Sequence, residues 1–98
     1  MTTYYPDNWI IIEASKGDDN VRKILSGWKG GYLDGDSWRL SSGITDIIDK
    51  DTHYEIHNES GSIYICNKQS QRMNMCTSGI YSQLIESNKD TTITTISL

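Results

Sequence analysis

The side chains best suited to holding a ligand are concentrated in one run, Gly27 to Gly43. Five glycines, two tryptophans, a tyrosine, a lysine and an arginine fall within its seventeen residues. Glycines let a backbone approach a ligand closely and adopt turns closed to other residues. Trp28 and Tyr32 in such a loop offer flat surfaces for a nucleobase, and stacking of that kind is worth about 1–3 kcal/mol per base. Arg39 lies between Ser37 and Ser41 on the polar face of an alternating segment. Its guanidinium could take a phosphate in two-pronged fashion with the hydroxyls donating beside it. A second polar segment, Asn67 to Met75, adds Lys68, Arg72 and Asn74. The expected ligand-binding set is therefore Trp28, Tyr32, Ser37, Arg39, Ser41, Lys68, Arg72 and Asn74, provided that the two segments form one pocket. Each residue also has a plainer use. Tryptophan packs small β cores, glycines build tight hairpins, Arg39 can pair with Asp34 or Asp36, and Asn67 to Met75 can be a solvated connection before a helix.

Catalytic and metal chemistry have less to stand on. His53 and His57 are four apart on an expected strand, so they point the same way but sit roughly 13 Å apart, too far to share an ion. Cys66 and Cys76 match no zinc-ligand spacing. The aspartates at 34, 36, 46, 49 and 51 do not follow a calcium loop and suit turns instead. No nucleophile elbow, phosphate-binding loop or metalloprotease motif is present. No metal, cofactor or catalytic residue is expected, and enzyme activity is unsupported.

Charge narrows the partners. Nine Lys and Arg oppose thirteen Asp and Glu, a net charge of -4. The longest basic run is Arg22-Lys23, so there is no basic face for polymeric DNA or RNA. The charge is also far too sparse to imitate duplex DNA. An acidic chain can still hold a small anion through one or two arginines. No stretch approaches the roughly 20 apolar residues of a membrane helix. The first residues have neither a basic nor an apolar signal region. These features lead us to expect a cytoplasmic protein with reduced cysteines and no membrane contact.

The elements that must position the candidate residues are mostly strands. Ninety-eight residues suffice for one domain. Its apolar set is dominated by fourteen isoleucines, joined by nine threonines and no phenylalanine, which favours strand over helix. Trp9-Ile10-Ile11-Ile12 is apolar on both faces, as a central strand would be. Turn-forming clusters at 16–20, 49–51 and 58–61 separate strands over 8–14, 21–29, 37–42, 44–48, 53–57 and 62–67. Within 37–42, alternation places Trp38 and Leu40 toward the core and Ser37, Arg39 and Ser41 outward. Ser78 can cap a helix whose face carries Ile80, Tyr81, Leu84 and Ile85, with Asn88 ending it. The expected fold is mainly β (α+β), a small antiparallel curled sheet or barrel of five to six strands with one short C-terminal helix. Residues 1–7 and 89–98 are expected to be weakly held ends, the Thr/Ile tail being either frayed or added to a sheet edge, in this chain or a neighbour.

The run GWxGGYxxGDSWRxxSGI, here Gly27 to Ile44, together with Asn8-Trp9-Ile10-Ile11, Tyr64-Ile65-Cys66-Asn67-Lys68 and Arg72-Met73-Asn74, resembles a group of small phage-encoded proteins of unassigned function. The resemblance extends from about Asn8 to Glu86. It implies a phage accessory protein acting in the host cell cytoplasm, and through that a counter-defence role. Three functions follow from residues and resemblance together. The first is sequestration, without catalysis, of a small anionic nucleotide signal. The second is protein–protein inhibition of a host defence or metabolic protein, through an acidic surface or the Thr/Ile tail. The third and weakest is hydrolysis of a cyclic nucleotide. A homo-oligomer would suit a chain with little interior of its own.

Overall fold

Trp9-Ile10-Ile11-Ile12 organises the molecule because both of its faces are covered, one by a second sheet and the other by a helix. The computed structural model describes residues 2–30 and 37–98. It is mainly β, with strands β1 (Thr3–Tyr4), β2 (Asn8–Lys16), β3 (Asp19–Trp28), β4 (Ser37–Leu40), β5 (Ile44–Asp49), β6 (His53–Asn58), β7 (Ile63–Asn67) and β8 (Thr92–Ile96). A short 3-10 turn (Lys68–Ser70) and the helix α1 (Met75–Ser87) lie between β7 and β8 in the chain. The strands form two four-stranded sheets ordered β1-β7-β6-β5 and β4-β3-β2-β8.

The two cores follow strand alternation. Trp9, Ile11 and Ile24 from one sheet meet Ile56, Tyr64 and Cys66 from the other. The opposite face of β2 and β3 presents Ile10, Ile12 and Leu25 to Ile80, Tyr81 and Leu84 of α1. The Trp9 indole N–H, which burial would otherwise leave unpaired, donates to the Asn67 carbonyl at 2.8 Å. The β2–β3 hairpin closes tightly because Gly17 takes a φ of 61°, in the left-handed region.

Several expectations need correction. The sheets do not close into a barrel, and the described residues form eight strands rather than five or six. The pairing is not wholly antiparallel, since β1 runs parallel to β7 through Thr3–Ile63 and Tyr4–Tyr64. Both end segments make contacts with the rest of the chain. The Asp7 N–H donates to the Gly27 carbonyl, the Lys29 N–H to the Asp7 carboxylate and the Trp28 indole to the Tyr5 carbonyl. The tail pairs with β2 of its own chain as β8. The helix begins one turn earlier than Ser78 suggested. Asn74 caps it in a reciprocal pair with Thr77, whose N–H donates to Asn74 Oδ1 at 2.8 Å while its hydroxyl accepts from the Asn74 N–H at 2.9 Å. Ile85 faces solvent instead of the core. Among the described residues no helix is long and apolar enough to cross a membrane.

Candidate functional site

The fold brings Arg39 to the rim of the inter-sheet core. Cross-strand pairing puts Trp9, Ser26 and Arg39 in one row on the face of β2, β3 and β4 that meets the other sheet. Arg39 is on edge strand β4, so its side chain leaves the core sideways and lies across edge strand β1. Its guanidinium sits 4.7 Å from the centre of the Tyr4 ring. Tyr4 in turn stacks on Tyr64 at 4.8 Å and tilts against Trp28 at 6.1 Å. Among the described residues no carboxylate pairs with Arg39. A guanidinium carries five N–H donors, so Arg39 can hydrogen-bond the Tyr64 side chain and still offer further donors to an anion. Burial pushes the Tyr64 phenol above its ordinary pKa, an effect partly offset by the nearby Arg39.

The other sequence candidates fare differently. Ser37 pairs with Trp28 at the exposed start of β4, on the same face as Arg39. Trp28 is half-buried against the core, its indole N–H bound to Tyr5, so it serves as a wall of the cluster and not as a free platform. Ser41 does not belong to a ligand surface. It is buried, accepts the Ile24 N–H at 2.8 Å and donates to the Ser42 carbonyl at 2.7 Å, which splices β4 to β3. Tyr32 lies outside the described residues.

Lys68, Arg72 and Asn74 do not converge on Arg39. The Lys68 ammonium binds Asp49 and sits 5.0 Å from the centre of the Tyr54 ring. The hydrogen bond to Asp49 raises its pKa. Arg72 donates through its side chain to the Gln69 carbonyl and through its backbone to Trp9. Asn74 is committed to capping α1. The connection between β7 and α1 thus has structural uses for its polar residues.

Sequence reading missed Tyr4, Tyr5 and Tyr64. The signal is the aromatic pair Tyr4-Tyr5 immediately before Pro6, within an end segment. Tyr64 sits on a strand between Ile63 and Ile65, with nothing local to mark it as a partner of Tyr4. Trp38, expected in the core, is 45% exposed. It lies opposite Gly27 on the helix-facing side of edge strand β4 and stays partly uncovered, whereas Leu40 on the same face packs against the core beneath α1.

Two of the clefts among the described residues are not lined by Arg39. One of about 500 Å³ separates the β2–β3 hairpin from the start of β5. Glu13, Asp46 and Glu59 line it with Arg22, which is already paired with Glu13 at 2.9 Å, so its field opposes an anion. The other, of about 590 Å³, lies at the start of α1 among Met73, Asn74, Met75 and Ser78. His57 faces Glu55 at 3.2 Å. Among the described residues, no three His, Cys, Asp or Glu side chains come together as a metal site. Both cysteines are free, and burial pushes the Cys66 thiol up to about 12. No protein-family model matches the chain, and neither a curated protein nor a solved structure matches it.

Proposed function

We propose that this protein is a binding module that sequesters a small anionic nucleotide without transforming it. The observation that carries this reading is Arg39, held against the Tyr4–Tyr64 stack with no carboxylate partner among the described residues. The phosphate is taken by the guanidinium edge, with the Ser37 hydroxyl beside it. The base rests on exposed aromatic surface near the rim, where Tyr5 is 67% exposed. Ser26, one strand inward of Arg39, is fully buried and stands behind the site as part of its wall. In the phage setting that the sequence resemblance implies, this is removal of a nucleotide signal used in host defence.

Thermal unfolding with a panel of cyclic dinucleotides, cyclic trinucleotides and ADP-ribose tests the proposal. At about 100 times its Kd a ligand adds about 2.7 kcal/mol, which raises the Tm of a domain this size by on the order of 10 °C. Arg39→Ala should abolish the shift while leaving the unliganded Tm within a few degrees, because Arg39 is on the surface. Arg39→Lys should restore only part of it, since an ammonium lacks the planar fork. Failure of every panel member to stabilise the wild-type chain would refute sequestration.

A second reading rests on a separate observation. Trp38 at 45% and Met75 at 93% exposure are large apolar side chains left uncovered. A protein–protein inhibitor would use such residues as anchors. It predicts that Trp38→Ala and Met75→Ala release a host partner in co-purification, while Arg39→Ala does not. The tail version of that idea would use the outer edge of β8, whose other edge pairs with β2 of its own chain.

A further inference from the structure

Four strands end the two sheets, and three of them carry features that discourage further pairing. β1 has only two residues. β4 has four, with Arg39 among them. β5 carries Asp46 and Asp49 and is broken by a register shift at Ile44/Asp46. Short length, charge and bulges are the usual protections of a sheet edge. β8, Thr92-Ile93-Thr94-Thr95-Ile96, has no charge, no proline and no register shift against β2.

The direction of its free backbone groups can be worked out. The Arg72 N–H donates to the Trp9 carbonyl at 2.8 Å, and Gln71 bridges Trp9 on the side of β2 that β8 continues. The Trp9 peptide groups therefore point toward β8, and alternation along β2 turns those of Ile11, Glu13 and Ser15 the same way. Their partners Ile96, Thr94 and Thr92 spend their N–H and C=O groups on β2. Ile93 and Thr95 consequently present theirs to the outside. The Tyr81 hydroxyl, which reaches the Ile93 carbonyl from α1 at 3.3 Å, agrees with that direction and leaves the carbonyl a second lone pair. Both ends of the strand are also fixed. Lys16 pairs with Asp90 at 2.7 Å before it, and the Gln71 side-chain amide makes two hydrogen bonds to the Leu98 backbone after it.

We infer that the outer edge of β8 pairs antiparallel with β8 of a second copy of this chain, about a two-fold axis through Thr94. In that register Ile93 faces Thr95 of the second copy and Thr95 faces its Ile93, so the outward N–H and C=O groups make four hydrogen bonds. Thr94 meets its own symmetry mate and Thr92 meets Ile96, so each face keeps uncharged Thr and Ile pairs. The contact is self-complementary and closes at two copies. It joins two four-stranded sheets into one of eight. β8 and β4 are opposite edges of their sheet, so pairing leaves the Arg39 cluster uncovered and does not depend on the ligand proposed for it.

Native mass spectrometry and light scattering of the full chain over a concentration series provide the test. The wild type should show twice the 11.1 kDa chain mass, returning to 11.1 kDa on dilution. Thr95→Pro deletes an outward N–H without touching the β2 pairing and should give a folded monomer. Thr95→Val keeps the N–H and should remain a dimer. Should the proline variant unfold, hydrogen exchange on the wild type decides: the Ile93 and Thr95 amides should be protected when concentrated and exposed when dilute. A wild type that stays monomeric at high micromolar concentration overturns the inference. So does a folded Thr95→Pro variant that still dimerises, or protection at Ile93 and Thr95 that ignores dilution.

Discussion

Gly27 separates a scaffold role from a ligand role within the glycine-rich run. A Cβ built there would lie 2.7 Å from Asn8 Oδ1, 2.9 Å from Asn8 Nδ2 and 2.9 Å from Thr77 Cγ2. Carbon contacts relax at about 3.5–4.0 Å, so the neighbours must retreat by roughly an ångström. They have little room, since Asn8 is 3% and Thr77 0% exposed. Thr77 is also half of the cap that starts α1, so its retreat pulls the helix from the sheet. Overpacking of this kind costs about 1–3 kcal/mol, and the immobile surroundings put Gly27→Ala at the upper end. That lowers Tm by about 10 °C or more for a domain of this length. Urea and thermal unfolding, followed by circular dichroism and tryptophan fluorescence, measure it. Asn8→Ala removes two of the three obstructing atoms and should cost about 1 kcal/mol alone. In the double variant the cost should fall short of the sum by at least about 1 kcal/mol, because the two sites share one space. A Gly27→Ala protein within about 0.5 kcal/mol of wild type, or strict additivity in the cycle, would refute the reasoning. Loss of nucleotide binding with no loss of stability would instead make Gly27 a ligand contact.

Two further outcomes follow from the same packing. Burial holds the folded Cys66 thiol protonated up to about 12, whereas an unfolded cysteine ionises near 8.5, so stability should fall as pH rises between those values, by at most about 1.4 kcal/mol per pH unit. Tyr64 adds to the loss at the alkaline end because burial raises its pKa as well. Denaturant titrations at several alkaline pH values should show a flatter decline in Cys66→Ala, and an unchanged slope would contradict the buried thiol. Asn74→Ala should cost about 1 kcal/mol through loss of the helix cap, with nucleotide affinity unchanged, and a loss of affinity in calorimetry would return Asn74 to the ligand site.

Much of the scaffold was legible because strand signals are local. Trp9-Ile10-Ile11-Ile12 announced a strand covered on both faces, and it is the strand shared by both cores. The turn at 16–20 and the helix face of Ile80, Tyr81 and Leu84 were readable for the same reason. Asn74 and Ser78 both carry a side-chain oxygen able to cap a helix, and only the reciprocal bonds with Thr77 single out Asn74.

The candidate site shows where local signals stop. Alternation in Ser37-Trp38-Arg39-Leu40-Ser41 correctly divided the segment between two faces. It did not say which face meets protein, and that assignment came out reversed at Trp38 and Ser41. Polarity normally marks the solvent side, but β4 is an edge strand of a sheet covered on both faces. Its polar row turns to the rim of the other sheet, and its apolar row, on the outermost strand beside α1, leaves Trp38 partly uncovered. Sequence therefore determined the strands, the turns and Arg39 as a charge worth noticing. Tertiary structure alone decided that Tyr4, thirty-five residues earlier in the chain, is what Arg39 rests on. Periodicity encodes the faces of an element, whereas the packing of whole sheets decides which faces meet.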